Sequence, residues 1–329
     1  MGKTMIRWLG LAALLAVLGT RVEAATIETL TLPRPEGTRR ALLATPAKPV
    51  AGPRPLVILL HGHGGTAAQL MGREHSAAPL AVWLRIADRE GWLVATPDGV
   101  KGGDGHPGWN DCRADAANNP HTDDVALVAA LIDQLVAQHH ADPARVYVMG
   151  MSNGGMMAFR LGTELAPRLA GFATVGASMA ADSACAAPTH ALPVLLVSGT
   201  ADPLVPYGGG PVRFLSRPSR GEVLAIEQVA ARWRTLAGLP DEPALHDTLP
   251  HRDPKDMTHA TRTLWGADPA KPQVELLRIE GGGHVEPSIE QRFQRLYTAV
   301  VGPQNGDVEV AEEAFAFFKD KRSAGGTGR

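Results

Sequence analysis

A serine flanked by glycines stands at Gly150-Met151-Ser152-Asn153-Gly154, directly after the apolar run Val146-Tyr147-Val148 and ahead of a helix-periodic stretch. Glycines on both sides allow a strained turn in which neighbouring chains pass close, so the hydroxyl can be held up above a strand end. The helix that follows aims its N-terminus at the same place and favours developing negative charge. A serine hydroxyl is a weak nucleophile until a base takes its proton. Asp202, in Ser198-Gly199-Thr200-Ala201-Asp202-Pro203, and His284, in Gly281-Gly282-Gly283-His284, each follow an apolar run of strand length. Serine, then acid, then histidine is the chain order expected behind a nucleophile elbow. The chemistry predicted is acyl transfer, with Ser152 attacking, His284 taking the proton and Asp202 orienting the imidazole. Donors for the oxyanion are expected from His61-Gly62-His63-Gly64-Gly65, which follows Leu56–Leu60, and from the residue after the nucleophile. That points to the amides of His63 and Asn153. His61 and His63 stand two apart in a glycine loop without a nearby carboxylate, so no metal and no other cofactor is expected there.

These residues need a frame that brings strand ends together. Leu56–Leu60 is continuously apolar, as in a strand buried on both faces. Further strands are expected at Trp92–Thr96, Arg145–Met149, Gly171–Val175, Val194–Ser198 and Val274–Ile279, after an antiparallel pair formed by Ile27–Leu32 and Arg39–Ala44. Helices are expected over Ala77–Glu90, Asp123–Gln138, Gly155–Leu165, Gly221–Leu236 and Val308–Lys319, with another helical segment around Ile289–Val301. Asp123 and Asp124 read as helix-capping carboxylates, and Met156 and Met157 as packing against the sheet. This alternation predicts an α/β fold, a mostly parallel, doubly wound sheet with helices on both faces. Functional groups of such sheets gather at the C-terminal strand ends. Pro240–Pro272 is proline-rich and reads as a surface excursion with a short strand near Thr261–Trp265.

The chain has 329 residues, 44% hydrophobic and 20% charged, with a net charge of −2. This leaves no basic stripe for nucleic acid. Lys3 and Arg7 followed by the apolar Trp8–Leu18 and by Val22-Glu23-Ala24 predict a signal peptide over 1–24. One catalytic domain is then expected over 25–321 and a disordered tail over 322–329. Export is predicted, to periplasm or medium, and no stable membrane insertion. The two cysteines, Cys112 and Cys185, allow one disulfide or two free thiols. Trp109, in a glycine-rich loop, either stacks on a substrate acyl or aromatic group or pins its loop to the core.

The segments Leu60-His61-Gly62, Pro97-Asp98-Gly99, Gly108-Trp109-Asn110, Arg145 to Met156 with its Ser152-Asn153-Gly154-Gly155-Met156 elbow, Asp202 to Tyr207, and Gly282-Gly283-His284 resemble the polyhydroxybutyrate depolymerase and feruloyl esterase family of α/β-hydrolases. The resemblance spans most of the mature chain. It implies an α/β-hydrolase fold and a secreted serine esterase that needs no cofactor and cleaves hydroxyalkanoate, hydroxycinnamate or short acyl esters. It also implies that Cys112 pairs with Cys185. Members often carry a Trp-Pro pair soon after the histidine; here the stretch reads Val285-Glu286-Pro287. No linker or binding module of the polymer-degrading members is legible, which points to oligomers or small esters. Two other readings start from the same residues: an exported peptidase on this fold, and a non-catalytic polymer- or carbohydrate-binding descendant.

Overall fold

The computed structural model describes residues 25–48, 51–213 and 219–323. The expected signal peptide lies outside these residues. Arg322 and Ser323, assigned from sequence to the tail, still belong to the packed body: Ser323 is buried and its amide donates to the Ala144 carbonyl at 2.9 Å.

In chain order the main strands are β1 (Thr26–Arg34), β2 (Gly37–Thr45), β3 (Arg54–Leu60), β4 (Leu93–Pro97), β5 (Ala141–Met151), β6 (Gly171–Val175), β7 (Val194–Gly199), β8 (Leu245–Thr248), β9 (His259–Trp265) and β10 (Val274–Glu280). They form one ten-stranded sheet in the order β1-β2-β4-β3-β5-β6-β7-β10-β9-β8. The pairs from β4 across to β10 are parallel, and the pairs at both edges are antiparallel. The stretch 240–272 is therefore not an irregular excursion. Thr261 to Thr248 and Trp265 to Val274 are in register, so β8 and β9 extend the sheet by two antiparallel strands. The prolines cluster outside the strands, where no ladder hydrogen bond is lost.

The strand pleat assigns alternate residues to the two faces. Leu56, Ile58, Leu60, Val146 and Val148 pack on one side, beneath α2 (Asp124–His139), α3 (Asn153–Glu164) and α4 (Ile226–Leu236). Val57, Leu59, Tyr147 and Met149 pack on the other, beneath α1 (Val82–Glu90) and α6 (Val310–Phe318). On that second face Tyr147 stacks on Phe318 at 4.8 Å and on Trp92 at 5.1 Å. Helix α1 starts later than its periodicity suggests, because Pro79–Ala81 forms a separate 3₁₀ turn. The helical segment near Ile289–Val301 shrinks to α5 (Arg295–Val301).

Buried polar side chains fix the long connections that frame the strand ends. Asp124, wholly buried at the start of α2, accepts from Arg39 Nη2 at 3.0 Å and from the Asn110 amide at 2.8 Å. Asp123 is the cap proper, accepting from the Ala126 amide at 2.9 Å. Cys112 and Cys185 are joined, with Cα atoms 5.3 Å apart and a sequence separation of 73. The Ala184 amide donates to the Cys112 carbonyl at 2.8 Å, so the bond staples two loops already paired. Closing a loop of that length restricts the unfolded chain by about 4 kcal/mol on a chain-entropy basis. Replacing both cysteines by serine is expected to lower unfolding stability by ~2–5 kcal/mol, read as a lower urea midpoint. A midpoint unchanged within error would show that the staple adds nothing.

Candidate active site

Strand β5 runs straight into the serine. Ser152 sits at φ 53° and ψ −122°, a conformation that side-chain-bearing residues rarely adopt. The neighbouring glycines show why they are needed. A Cβ on Gly154 would lie 2.3 Å from the Leu60 carbonyl oxygen, and one on Gly150 would lie 2.2 Å from the Gly154 oxygen. Strand, turn and helix cross too closely for any side chain at these positions.

Asp202 lies just past β7 and His284 just past β10, and β7 and β10 are parallel neighbours. Sequence separations of 132 and 82 residues thus close to two hydrogen bonds. Asp202 Oδ2 is 2.7 Å from His284 Nδ1, and His284 Nε2 is 2.9 Å from Ser152 Oγ. The other carboxylate oxygen of Asp202 accepts from the amides of Leu204 and Val205, both at 2.8 Å. A carboxylate only accepts, so the imidazole proton belongs on Nδ1 and Nε2 is left to accept from the Ser152 hydroxyl. The His284 backbone is held by its amide, which donates to Val301 at 2.6 Å.

The two amides expected to receive the oxyanion, those of His63 and Asn153, donate to no acceptor among the described residues. The loop carrying His63 is braced on both sides. His61 Nε2 accepts from the Gly99 amide at 2.9 Å, which puts its proton on Nδ1, facing the Gly62 carbonyl at 2.7 Å. Burial holds the His61 imidazole below its usual range, consistent with this neutral, doubly bonded ring. His63 accepts on Nδ1 from Arg220 at 3.0 Å, and its Nε2 is 3.1 Å from Asp104. Arg220 also pairs with Asp104 at 3.1 Å. Burial and the Arg220 cation push His63 down to about 4. Between that value and the ordinary 6.5 the unfolded chain binds a proton that the folded chain refuses. The contribution is present above 6.5 and lost as pH falls toward 4. The urea midpoint is expected to drop between pH 7 and pH 4.5 by less in His63→Gln than in the parent protein; equal drops would remove His63 from the acid response.

Trp109 is buried and is not among the residues that line the cleft beside Ser152. It is 0% exposed, and its indole Nε1 donates to the His61 carbonyl at 2.8 Å. Its amide donates to Asn153 Oδ1 at 2.7 Å. It pins the loop to the elbow, because a buried indole needs its N–H satisfied and finds that acceptor inside the protein. Asn153 Nδ2 donates back to the Trp109 carbonyl at 3.2 Å and to Asp111 at 2.7 Å, and Asp111 in turn holds the buried Arg113. Asp111 and Arg113 had no motif to mark them.

Ser152 opens into a cleft of about 470 Å³. Glu286, Phe293, Tyr297 and Val301 line it from the segment after His284; Arg113, Arg213, Arg220 and His106 line it from the loops that carry Asp104 and follow Val212. Met156 reaches the cleft whereas Met157 is buried in the core. Away from the cleft, His251, His259 and Asp307 each bring one potential ligand atom within 4.8 Å of the others. Asp307 already accepts from His251 Nδ1 at 2.9 Å. Cys112 and Cys185 approach Glu164, but the disulfide leaves no thiolate to bind a metal.

An open parallel sheet with a positive-φ serine at the end of its central strand defines the α/β-hydrolase class. The phospholipase/carboxylesterase family model matches residues 44–212. The Nocardia uniformis subsp. tsuyamanensis protein NocK, named as an esterase, is 32% identical over 272 residues, covering 80% of this chain and 74% of NocK. Feruloyl esterase B of Piromyces equi is 28% identical over 240 residues, 70% of this chain but 40% of its own length. Among solved structures, the acetyl xylan esterase of Aspergillus awamori superposes with a TM-score of 0.56 over 90% of this chain and 99% of that one, at 13% identity, a likeness of fold. The chain belongs to the phospholipase/carboxylesterase family of α/β-hydrolases and is a serine ester hydrolase.

Proposed function

We propose that the protein is an exported carboxylesterase that cleaves esters of small hydroxylated acids, hydroxyalkanoate oligomers or hydroxycinnamates, or short acyl esters, through Ser152, His284 and Asp202. The observation that carries this reading is the continuous chain Asp202–His284–Ser152, with links of 2.7 and 2.9 Å, ending on a serine held at positive φ.

Ser152 Oγ attacks the ester carbonyl while His284 Nε2 takes its proton. The carbonyl π electrons move to oxygen, and the amides of His63 and Asn153 donate to that oxyanion. The tetrahedral adduct collapses, the bond to the alkoxy oxygen breaks, and His284 gives its proton to the departing alcohol. Water then attacks the acyl-serine, giving its proton to His284, and collapse releases the acid and restores Ser152. Asp202 stabilises the imidazolium in both halves and is not itself protonated. Export rests on the residue pattern of 1–24, and the Cys112–Cys185 bond suits an oxidising compartment. Among the described residues no helix is long and apolar enough to cross a membrane.

The test is a hydrolysis panel of hydroxybutyrate oligomers, methyl ferulate, short acyl esters and a peptide amide. Release of acid from one or more ester classes, without peptide cleavage, is expected. Peptide cleavage at comparable kcat/KM would favour the peptidase reading. No turnover, and no labelling of Ser152 by an organophosphonate, would favour a non-catalytic binding protein.

A further inference from the structure

Glu286 stands two residues after His284, and the mechanism above gives it no role. It lines the cleft beside His284, yet it is only 9% exposed. Its main chain is fixed, because Gln304 Nε2 donates to its carbonyl at 2.9 Å. Its carboxyl group is not satisfied in the same way. Among the described residues no group but its own amide donates to it, and no Lys or Arg pairs with it. Val301, Phe293 stacked on Tyr297 at 4.8 Å, and the His284 imidazole line the cleft with it.

Buried carboxyl groups are ordinarily paired, since each unmet hydrogen bond in a low-dielectric site costs free energy. A carboxyl on the wall of a substrate cleft is placed to take a partner from the substrate. Burial pushes Glu286 upward, toward the acid form, which offers one O–H donor and one carbonyl acceptor. That pair matches a hydroxyl, which also both donates and accepts. An ammonium fits less well. It would need an ionised Glu286 and would sit near the imidazolium that forms on His284 during attack, where like charges repel. A substrate carboxylate would meet a second acid in an apolar wall.

We propose that Glu286 is a specificity residue that binds a hydroxyl carried by the substrate on the acyl or the alcohol side of the ester. This rests on the esterase reading above and narrows it to hydroxylated esters. Glu286 positions the substrate and takes no part in breaking the bond.

The experiment measures kcat/KM for two matched pairs, methyl 3-hydroxybutyrate against methyl butyrate and 2-hydroxyethyl butyrate against ethyl butyrate. The parent protein, Glu286→Gln and Glu286→Leu are compared. Each ratio is taken within one protein sample, so a change in folded fraction cancels. At least one pair is expected to show about tenfold preference for the hydroxylated ester in the parent. Gln, which keeps a donor and an acceptor, should retain most of that ratio, and Leu should bring it to within about twofold of unity. Equal turnover of both pairs by the parent, or a preference surviving in Glu286→Leu, overturns the proposal while leaving the esterase reading intact. So does a methyl 3-aminobutyrate that outruns both esters in the parent and loses its advantage in Glu286→Gln, which would identify an ammonium site. No turnover of any ester by the parent removes the esterase reading, and this one with it.

Discussion

Ser152→Ala is expected to lower kcat on a short acyl ester by roughly 10⁵- to 10⁶-fold while leaving the fold in place. The replacement removes one oxygen, and that oxygen's hydrogen bond is to His284. Alanine keeps the same Cβ, so the strain of positive φ at this position is not increased. What remains is the contribution of the cleft and the two amides, which bind and polarise the ester without a nucleophile. The measurement is steady-state hydrolysis of a 4-nitrophenyl ester, with the thermal melt as the folding check. A variant that melts like the parent and keeps more than about one part in a thousand of its kcat would mean that another group attacks.

Asp202→Asn tests the second link and should cost about 10⁴-fold in kcat with little change in KM. The direction follows from the hydrogen bonds. One oxygen of Asp202 accepts from the Leu204 and Val205 amides, both at 2.8 Å. In asparagine the side-chain carbonyl must keep that place, because the amino group would face two donors. The amino group is then directed at His284 Nδ1. That nitrogen can no longer donate and becomes the acceptor, so the proton moves to Nε2. A protonated Nε2 donates to Ser152 Oγ instead of accepting from it, and the base is lost although every atom stays close to its place. Asp202→Ala removes the charge and orphans the Leu204 and Val205 amides, so it should also destabilise the loop. If Asn retains a tenth or more of the parent kcat, Asp202 does not set the tautomer.

The elbow was legible because its requirements are local. Gly150 and Gly154 are needed wherever a strand, a sharp turn and a helix cross at contact distance, and the glycine pattern around Ser152 shows that need before any coordinates. The pleat and the amphipathic helices are local as well, so the parallel core from β4 to β10 and the antiparallel entry pair could be read from periodicity. Placing Asp202 and His284 required only that residues just past β7 and β10 share one rim, which follows once the sheet is parallel.

Trp109, the 240–272 stretch and Glu286 turned on long-range contacts. A tryptophan in a glycine-rich loop looks the same whether its ring faces substrate or core. The His61 carbonyl, 48 residues away, supplies the acceptor that settles it. The prolines around β8 and β9 obscured two strands whose pairing is with β10, which no local signal could show. Glu286 was visible as a departure from a related pattern, but its lack of a Lys or Arg partner among the described residues depends on how the chain from 284 to 305 folds over the cleft. Residue type and short spacing determine which groups are reactive, because turn strain and periodicity act over a few bonds. Only the packed sheet decides which of those groups meet, which are satisfied and which are left open, because hydrogen-bond partners and solvent exclusion come from segments far apart in the chain.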